Sequence, residues 1–483
     1  MTIFGEMLKS YIDKNKVNIY KLAQKSGIER TTIHKIISSG RIPDEKYVQK
    51  LLDAMQLSPY EKDGLLTAYN ISKDGEFVYN RRLHVKNLLD RMGEAFDPAE
   101  SDSAPLQDDF PGESSATAAY GVLAVTNMID KILSRENYEK DPKVWFFMPH
   151  DCNFFFDNLF FKYRKNKNLK IKCLFEFSKN ADIGVNLRDT NLDVIGTLLP
   201  FIICSHGNFD AYYFYSSSPL RDRTILPMPY YLLTSRCILT MTADLQTSVL
   251  HSDPVMINCY KKIFAEAKEK SNPLVSNITS VIDTINYYNS KTGVISRGMS
   301  GYGSHPCVAV YFDRNIIDAH LVKELKNRDT LVNISEAVYK HMRETVKSGL
   351  TTSYFTVEGL NNFTENGIIE TFSDRVFLPF SPGERSRMFK CMIDSTESGE
   401  IIYRLINTSK LKPPKCFYID VFDGSHMNIV AGDRVGGEVN TVNISEEGVV
   451  SAFRDFLINS AVTDVVYSKE ETLEILREYM GKL

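Results

Sequence analysis

The sequence contains no apolar run long enough to cross a lipid bilayer. A membrane-spanning helix needs about 20 predominantly apolar residues, and the longest candidate, LLPFIICS from Leu198, is short and is interrupted by Pro200. The first residues include Glu6 and Asp13 and have no apolar segment of the kind found in secretory signals. We therefore expect a cytoplasmic protein that does not associate with membranes.

Paired cysteines and metal-ligand motifs are also absent from the sequence. The chain has eight cysteines, but none lies within three residues of another, so there is no CxxC pair. Its nine histidines form no HExxH, HxxxH or His-Cys cluster, and there is no GxSxG or protein-kinase signature. We therefore predict a protein that is not an enzyme, that uses no metal or cofactor, and whose cysteines are buried thiols.

The charge of the chain is unevenly distributed. A chain of 483 residues is long enough for several domains, and its 43% hydrophobic and 24% charged content is ordinary for a soluble globular protein. Residues 1–43 contain eight lysines and arginines against three acidic residues, a net charge of +5, whereas the whole chain carries −4. A small basic module of this kind is typical of a region that binds a polyanion such as DNA.

Residues 18–43, NIYKLAQKSGIERTTIHKIISSGRIP, have the pattern of a helix-turn-helix. The pattern predicts a short helix over 19–26 and a second helix over 30–38. Between them, Gly27 supplies a residue that adopts a positive φ without strain. The isoleucines of the second helix recur at helical spacing and should face the core: Ile33, Ile36 and Ile37.

Residues 4–57 resemble the Cro/lambda-repressor (XRE) helix-turn-helix family. The resemblance is carried by KLAQKSGI, TTIHKI, SGRIP and the amphipathic stretch EKYVQKLLDAMQLS. It implies a compact bundle of about four or five helices that binds double-stranded DNA as a homodimer, with the second helix of the motif in the major groove. One difference is Tyr20, which stands where many members have glutamine.

The resemblance also implies which side chains contact DNA. Carried over by position, the residues expected to meet base edges lie on the second helix: Arg30, Thr31, His34 and Lys35, with Thr32 beside them. The residues expected near phosphates flank that helix: Asn18, Tyr20, Ser38, Ser39 and Arg41. Together these residues form the predicted DNA-binding surface.

Composition divides the chain further. We assign residues 1–70 to the helix-turn-helix domain and residues 71–96 to a connecting helix with an apolar seam formed by Val78, Val85, Leu89, Met92 and Phe96. This seam either joins two bundles in a dimer or packs on its own domain. Residues 97–116 contain three prolines, six acidic residues and no basic residue, which is typical of a flexible linker.

The remainder of the chain has mixed α and β patterns that follow one another in a similar order twice. We predict a first α/β lobe over 117–288 and a second over 308–483, joined by a glycine-rich loop at 289–307. Duplicated lobes should pack about a pseudo-two-fold axis and leave a ligand cleft between them. The predicted fold class is therefore multidomain, with an all-α helix-turn-helix bundle followed by a large mixed α/β region.

Two groups of residues are candidates for binding a small ligand in the α/β region. Tyr213, Tyr215 and Tyr230 would line a pocket if they are exposed, and core packing is the alternative. Arg221 and Arg223 offer planar guanidinium groups to an anionic ligand, and solvated loop charges are the alternative.

The sequence favours a DNA-binding transcriptional regulator whose C-terminal α/β region senses a small-molecule or protein effector. One alternative is an enzyme with an appended DNA-binding domain, for which His150 and Asp151, at the end of a predicted strand, are among the candidate acid/base pairs. Another is a phage-type or defence-associated repressor whose C-terminal region binds a protein.

Overall fold

A computed structural model describes residues 2–95, 116–178, 189–204, 207–216, 227–278, 298–370, 375–415, 417–424, 426–433, 438–459 and 465–483. The predicted acidic linker, 97–116, lies outside these residues except for Ala116. The described residues form two compact units. One comprises the residues up to His84 together with Asp189, and the other comprises the remaining residues from Val85 onward. Among the described helices, none is both long enough and apolar enough to cross a membrane.

The first unit is built from helices. In chain order they are α1 (Ile3–Lys14), α2 (Ile19–Ser26), α3 (Arg30–Ser38), α4 (Glu45–Ala54) and α5 (Pro59–Asp74). Local signals fix where helices begin. Thr2 caps α1 by accepting a hydrogen bond from the Gly5 amide, and Ser58 and Glu61 form a reciprocal capping box at the start of α5. This helical bundle agrees with the fold class predicted for the N-terminal region.

One apolar cluster holds the five helices together. The rings of Phe4 and Tyr69, from α1 and α5, meet edge to face with their centroids 5.5 Å apart. Helix α1 also approaches α3 closely, because a Cβ at Gly5 would lie only 2.6 Å from the carbonyl oxygen of Ile36. The predicted recognition helix is therefore packed tightly on the side that faces the bundle.

A sixth helix, α6 (Glu76–Ala95), contains the apolar seam singled out in the sequence. Val85, Leu89 and Met92 are 0%, 1% and 3% exposed and belong to the hydrophobic core of the second unit. Phe96 lies outside the described residues. Val85, Leu89 and Met92 therefore pack within the chain, whereas Val78 is half-buried.

The second unit begins with an eight-stranded mixed sheet. In chain order its elements are β1 (Thr117–Tyr120), α7 (Val122–Asn137), β2 (Lys143–Phe147), α8 (Asn153–Lys165), β3 (Lys170–Ser178), α9 (Thr190–Ile203), β4 (Phe209–Ser216), β5 (Tyr230–Leu233), β6 (Ile238–Met241), β7 (Thr247–His251), α10 (Pro254–Glu269) and β8 (Asn272–Pro273). The strand order is β1-β7-β6-β5-β2-β3-β4-β8. Strands β2, β3 and β4 are parallel, and β5, β6 and β7 form an antiparallel meander beside β2.

A seven-stranded mixed sheet follows. Its elements are β9 (Ser276–Ile278), β10 (Met299–Gly303), α11 (Arg314–His320), α12 (Arg328–Ser348), β11 (Thr352–Phe355), α13 (Val357–Asn366), α14 (Pro382–Ser398), β12 (Ile402–Leu405), β13 (Phe417–Phe422), β14 (His426–Asp433), β15 (Glu438–Ile444), α15 (Glu447–Ile458) and α16 (Lys469–Met480). The strand order is β12-β11-β10-β13-β14-β15-β9. Strands β10, β11 and β12 are parallel, and β13, β14 and β15 form an antiparallel meander.

The two sheets share one topology. The order β4-β3-β2-β5-β6-β7 in the first sheet corresponds to β12-β11-β10-β13-β14-β15 in the second, with the same strand directions. A helix follows each meander, α10 in the first half and α15 in the second. The repeated element order indicated by the sequence is therefore present in the fold, and the first and second halves of the α/β region are defined by these two sheets.

The two halves meet through unlike elements. Helix α9 packs against α15 and β14, and β4 contacts β9. By topology, α9 corresponds to the α13–α14 segment and α15 corresponds to α10. A two-fold axis would instead bring the same surfaces together reciprocally. These contacts therefore join non-equivalent elements of the two halves.

The predicted glycine-rich loop, 289–307, contains the central strand of the second sheet. Residues 289–297 lie outside the described residues, but β10 is buried and pairs with β11 and β13. Tyr418 of β13 lies over Gly301 and Gly303, and a Cβ at either glycine would collide with its side chain. Because glycine is depleted in strands, the local sequence favoured a loop at these residues. The structure has a strand here instead, and its glycines make room for the Tyr418 side chain.

Candidate nucleic-acid interface

The α2–turn–α3 segment has the local geometry of a helix-turn-helix. Asn18 begins α2, and its Oδ1 accepts hydrogen bonds from the backbone amides of Tyr20 and Lys21 at 2.9 and 3.3 Å. Gly27 ends the helix with a φ of +66°, in the left-handed region that favours glycine. Asn18 and Gly27 therefore fix where α2 begins and where it ends.

Helix α3 has one buried face and one exposed face. Ile33, Ile36 and Ile37 are 0%, 0% and 8% exposed and anchor the helix in the bundle. Four of the predicted base-contacting residues are exposed on the opposite face: Arg30, Thr31, His34 and Lys35. Thr32 is half-buried. The helix thus presents a continuous polar face, because residues one turn apart lie side by side.

The exposed face of α3 is rich in hydrogen-bonding groups. The Arg30 Nε donates to Nε2 of His34 at 3.4 Å, and the Thr31 hydroxyl donates to the Glu29 carboxylate at 3.3 Å. Both hydrogen bonds are long and exposed to solvent, so exchanging them for contacts with base edges costs little. An arginine on such a face suits the O6 and N7 acceptors of guanine.

The predicted phosphate contacts at Asn18, Tyr20 and Arg41 are all exposed. Tyr20, which replaces the glutamine of many family members, has 60% of its surface exposed. Asn18 uses its carbonyl oxygen as the helix cap, so its Nδ2 amide group is the part that suits a phosphate oxygen.

Ser38 and Ser39 are exposed at the end of α3, but their hydroxyl protons are already engaged. Each hydroxyl donates at 2.6 Å to a carbonyl oxygen four residues earlier, that of His34 or Lys35. These hydroxyls would have to rotate before they donate to a phosphate. The predicted phosphate contacts of Ser38 and Ser39 therefore depend on this rotation of their hydroxyl groups.

A helix-turn-helix family model matches residues 8–62. The N-terminal unit carries an XRE-type helix-turn-helix domain. This assignment supports a DNA-binding regulator, and it concerns the helix-turn-helix domain alone. No curated protein matches the chain.

Comparison with solved structures gives only weak similarities. The chain is similar to TrmBL2, an archaeal chromatin protein whose structure shows a novel mode of DNA binding, at 12% identity over 45% of this chain and 72% of that chain, with a TM-score of 0.23. It is similar to phosphatidylserine synthase from Haemophilus influenzae Rd KW20 at 8% identity over 75% of this chain and 92% of that chain, with a TM-score of 0.24. TM-scores this low do not establish a shared fold, so neither similarity is evidence for a function of this protein.

The tyrosines predicted to bind a ligand fall into two environments. Tyr213 is 8% exposed and belongs to the core, and its ring meets that of Tyr215 edge to face with centroids 5.3 Å apart. The Tyr215 hydroxyl donates to Oε1 of the buried Glu446 at 2.7 Å. Burial raises the pKa of both Tyr213 and Tyr215. Tyr215 thus joins the two halves of the α/β region, Tyr213 packs in the core beside it, and Tyr230 lines a cavity. Arg221 and Arg223 lie outside the described residues.

This cavity, of about 160 Å³, lies at the carboxyl ends of the parallel strands β2, β3 and β4. Six apolar residues line it: Phe147, Met148, Pro149, Phe175, Phe177 and Tyr230. Six polar residues complete the lining: His150, Asp151, Glu176, Ser178, Thr190 and Ser216. The carboxyl edge of parallel strands is where open α/β sheets commonly bind ligands.

Only part of this cavity is predictable from the sequence. His150 and Asp151 after β2, and Tyr230 at the start of β5, are candidates in the sequence, but nothing there places them together. Glu176 and Ser178 at the end of β3 carry no such signal. These residues share one feature, which is that they lie at or just after the carboxyl ends of parallel strands. That feature predicts a common cavity only when the order of the strands in the sheet is known.

Proposed function

We propose that the protein is a sequence-specific DNA-binding transcriptional regulator that acts as a homodimer and whose C-terminal α/β region senses a small ligand or a protein partner. The observation that carries DNA recognition is the exposed polar face of α3, opposite three buried isoleucines. That face supplies groups that distinguish base pairs in the major groove, and the +5 charge of residues 1–43 supplies attraction to the phosphates.

A homodimer would place two copies of α3 about 34 Å apart, one turn of DNA. Val85, Leu89 and Met92 of the α6 seam are buried within their own chain, so we propose that the dimer does not use these three residues. Light scattering on the full chain, alone and with a DNA duplex, measures the stoichiometry. One chain per duplex at saturation would contradict the dimer.

The α/β region is proposed to act as a sensor and not as an enzyme. A cavity at the carboxyl edge of the first sheet supports this role, because a ligand that binds one state of the regulator more tightly shifts the population towards that state. A partner protein that binds the same region would act by the same principle.

The DNA-binding proposal is tested by selecting preferred duplexes from a random pool with the full chain and then measuring their affinity by fluorescence anisotropy. We expect Arg30→Ala and Lys35→Ala each to remove about 1–3 kcal/mol of discrimination at particular base pairs. Arg41→Ala should weaken all sequences alike and reduce the salt dependence.

The matched control for this test is Lys62→Ala on α5, which removes a charge outside the predicted DNA-binding surface. It should leave base discrimination unchanged. Selection of no preferred sequence, or equal effects of Lys35→Ala and Lys62→Ala on discrimination, would show that α3 is not the recognition helix.

A further inference from the structure

A second basic surface lies at the amino edge of the first sheet, where the parallel strands begin. Lys143 and Lys170 are the first residues of β2 and β3, and they are partners in the register of these strands. Three stretches form this amino-edge surface: 138–143, 164–170 and 234–237. They carry seven lysines and arginines against two acidic residues, a net charge of +5 in a chain of −4. The buried carboxyl group that is hydrogen-bonded to two of these stretches, that of Glu136, lowers the sum to +4 when it is ionised.

Hydrogen bonds join these stretches into one continuous surface. The Asn166 side chain donates to the last carbonyl oxygen of α7 at 2.9 Å, and the Lys170 amide donates to the carbonyl oxygen of Pro142 at 3.0 Å. The Asn208 side chain, just before β4, donates to the carbonyl oxygen of Lys167 at 2.7 Å. The backbone that carries the cations is therefore held in place before any partner binds, which reduces the ordering cost of binding.

The two acidic residues neutralise only part of this charge. Asp141 is shared by two lysines, because it forms ion pairs with Lys143 and, at 2.9 Å, with Lys170. Glu139 pairs with Arg236 at 2.6 Å. Ion pairs at the surface contribute little stability, so these cations remain available to phosphate groups.

Two lysines of the amino-edge surface have no acidic partner. Lys140 and Lys167 are exposed, and no carboxylate in the described part of the chain pairs with either of them. Neither lysine lies in a helix, so neither serves to offset a helix dipole. Tyr138, two residues before Lys140, has 81% of its surface exposed. Lysine ammonium groups and tyrosine hydroxyls are among the groups that contact the DNA backbone.

The equivalent edge of the second half shows that the fold does not require this charge. There, α12 leads into β11 through 346–352, and β13 is joined to β14 through 423–425. These two stretches carry one lysine, Lys347, and one acidic residue, Asp423. Their counterparts in the first half, the last two stretches of the amino-edge surface, carry five cations and no acidic residue. The charge is therefore a property of this edge and not of the topology.

The width of the amino-edge surface suits a short stretch of DNA backbone. It extends across the starts of β2, β3 and β4 and the turn after β5, which are neighbours in the sheet. Three spacings of about 4.8 Å between four strands give about 14 Å. Successive phosphates of one DNA strand are about 3.4 Å apart along the helix axis. The surface therefore faces about four phosphates of one strand.

We propose that the amino-edge surface binds the phosphate backbone of double-stranded DNA, without regard to sequence, and adds to the affinity of the helix-turn-helix domain. A weak surface is sufficient, because DNA held by one part of a chain is presented to the other at a high effective concentration. This inference rests on the proposed function, in which the chain binds DNA through α3.

The test measures the salt dependence of DNA binding by the full chain with Lys140→Ala/Lys167→Ala. Fluorescence anisotropy with a duplex of about 40 base pairs, four turns of DNA, gives the affinity between about 50 and 200 mM salt. We expect the slope of log affinity against log salt to fall by about 0.9 for each lysine removed, because each lost phosphate contact releases fewer counterions. At about 0.1 M salt the affinity should fall at least about tenfold, and by the same factor for every sequence.

Two control variants separate charge at this surface from charge in general. Lys140→Arg/Lys167→Arg keeps both charges and should keep the slope. Lys347→Ala removes an exposed lysine at the equivalent edge of the second half and should also leave the slope unchanged. An unchanged slope in Lys140→Ala/Lys167→Ala, or an equal change per lysine in Lys347→Ala, would overturn the proposal.

Double-stranded RNA of the same length tests the choice of partner. If the alanine variant loses more affinity for RNA than for DNA, the surface serves RNA and the proposal is overturned. An equal or larger loss for DNA supports the proposal.

Selection of preferred duplexes separates the amino-edge surface from the proposed function. A preferred sequence together with an unchanged slope overturns this surface alone. A changed slope without any preferred sequence supports the surface and overturns the sequence-specific regulator.

Discussion

The two halves of the α/β region have the same strand order but differ at the carboxyl edge of their parallel strands. In the first half, a cavity of about 160 Å³ lies at this edge, lined by residues that follow β2 and by residues at the ends of β3 and β4. In the second half, α13 begins immediately after β11 and its first turn lies against Ser304. The same sheet topology therefore allows a cavity at this edge in one half and close contact between a helix and a strand end in the other.

The closed edge of the second half is where a single methyl group should have the largest effect. Gly359→Ala would push a Cβ into the backbone carbonyl of Ser304, and backbone cannot move aside as a flexible side chain does. We expect the free energy of unfolding to fall by up to about 3 kcal/mol, measured by urea denaturation.

The matched control is Gly383→Ala on the first turn of α14, where a Cβ meets nothing within 4 Å. It should be neutral or slightly stabilising, because alanine loses less backbone freedom on folding. Equal stabilities of the two variants would mean that the second edge is not closed by close packing.

In the first half, the buried carboxylate of Glu136 holds two loops through hydrogen bonds. Glu136 is 2% exposed and accepts hydrogen bonds from the Lys143 amide at 2.7 Å, the Ser235 amide at 3.1 Å and the Ser235 hydroxyl at 2.6 Å. Glu136→Gln would turn an amide group towards these donors and leave at least one unpaired. We expect a loss of about 2 kcal/mol in unfolding free energy. Chemical denaturation of this variant beside the exposed Glu266→Gln measures the effect, and similar midpoints would contradict it.

The halves should also respond differently to acid. In the second half, partial burial opposes ionisation of Glu384, but hydrogen bonds from Ser381 and His320 outweigh it and lower its pKa to about 2, from an ordinary value of 4.5. A lowered pKa contributes stability above pH 4.5 that is lost as the pH falls towards 2. In the first half, burial raises the pKa of Glu136, so its contribution has the opposite sign and is lost as the pH rises through that raised pKa.

The test of this difference is the pH dependence of Glu384→Gln. Because Glu384 is partly exposed, solvent screening reduces its contribution to on the order of 1 kcal/mol at pH 7. The difference between the variant and the unmodified protein should shrink steadily as thermal unfolding is measured from pH 5 down to about pH 2. A difference that stays constant over this range would rule out the ionised Glu384 carboxylate as its source.

The helix-turn-helix domain was predictable because its signals are local. The bounds of α2 and α3, the turn at Gly27 and the burial of Ile33, Ile36 and Ile37 all follow from residues within one short segment. The repeated order of strands in the α/β region was also readable, since each strand is an apolar run bounded by turn residues.

The features that sequence analysis missed depend on residues that are distant in the chain. Strand β10 is held by Tyr418, more than a hundred residues after its glycines. Tyr215 reaches Glu446 in the other half, so its place in the half–half contact could not be read from its own strand. The cavity likewise combines Asp151, Glu176 and Ser216, whose proximity is a consequence of strand order and not of local sequence.

The pairing of β9 with β15 imposes an order on the folding of the chain as it is synthesised. The ribosome completes all strands of the first sheet by Pro273 and then makes β9, whose partners are Thr441, Val442 and Asn443 of β15. Until those residues emerge, β9 is a lone strand attached to a sheet that already has its full complement of strands. Nascent chains of this protein must therefore carry an unpaired strand through about a third of translation, during which the first half has time to mature before the second can close.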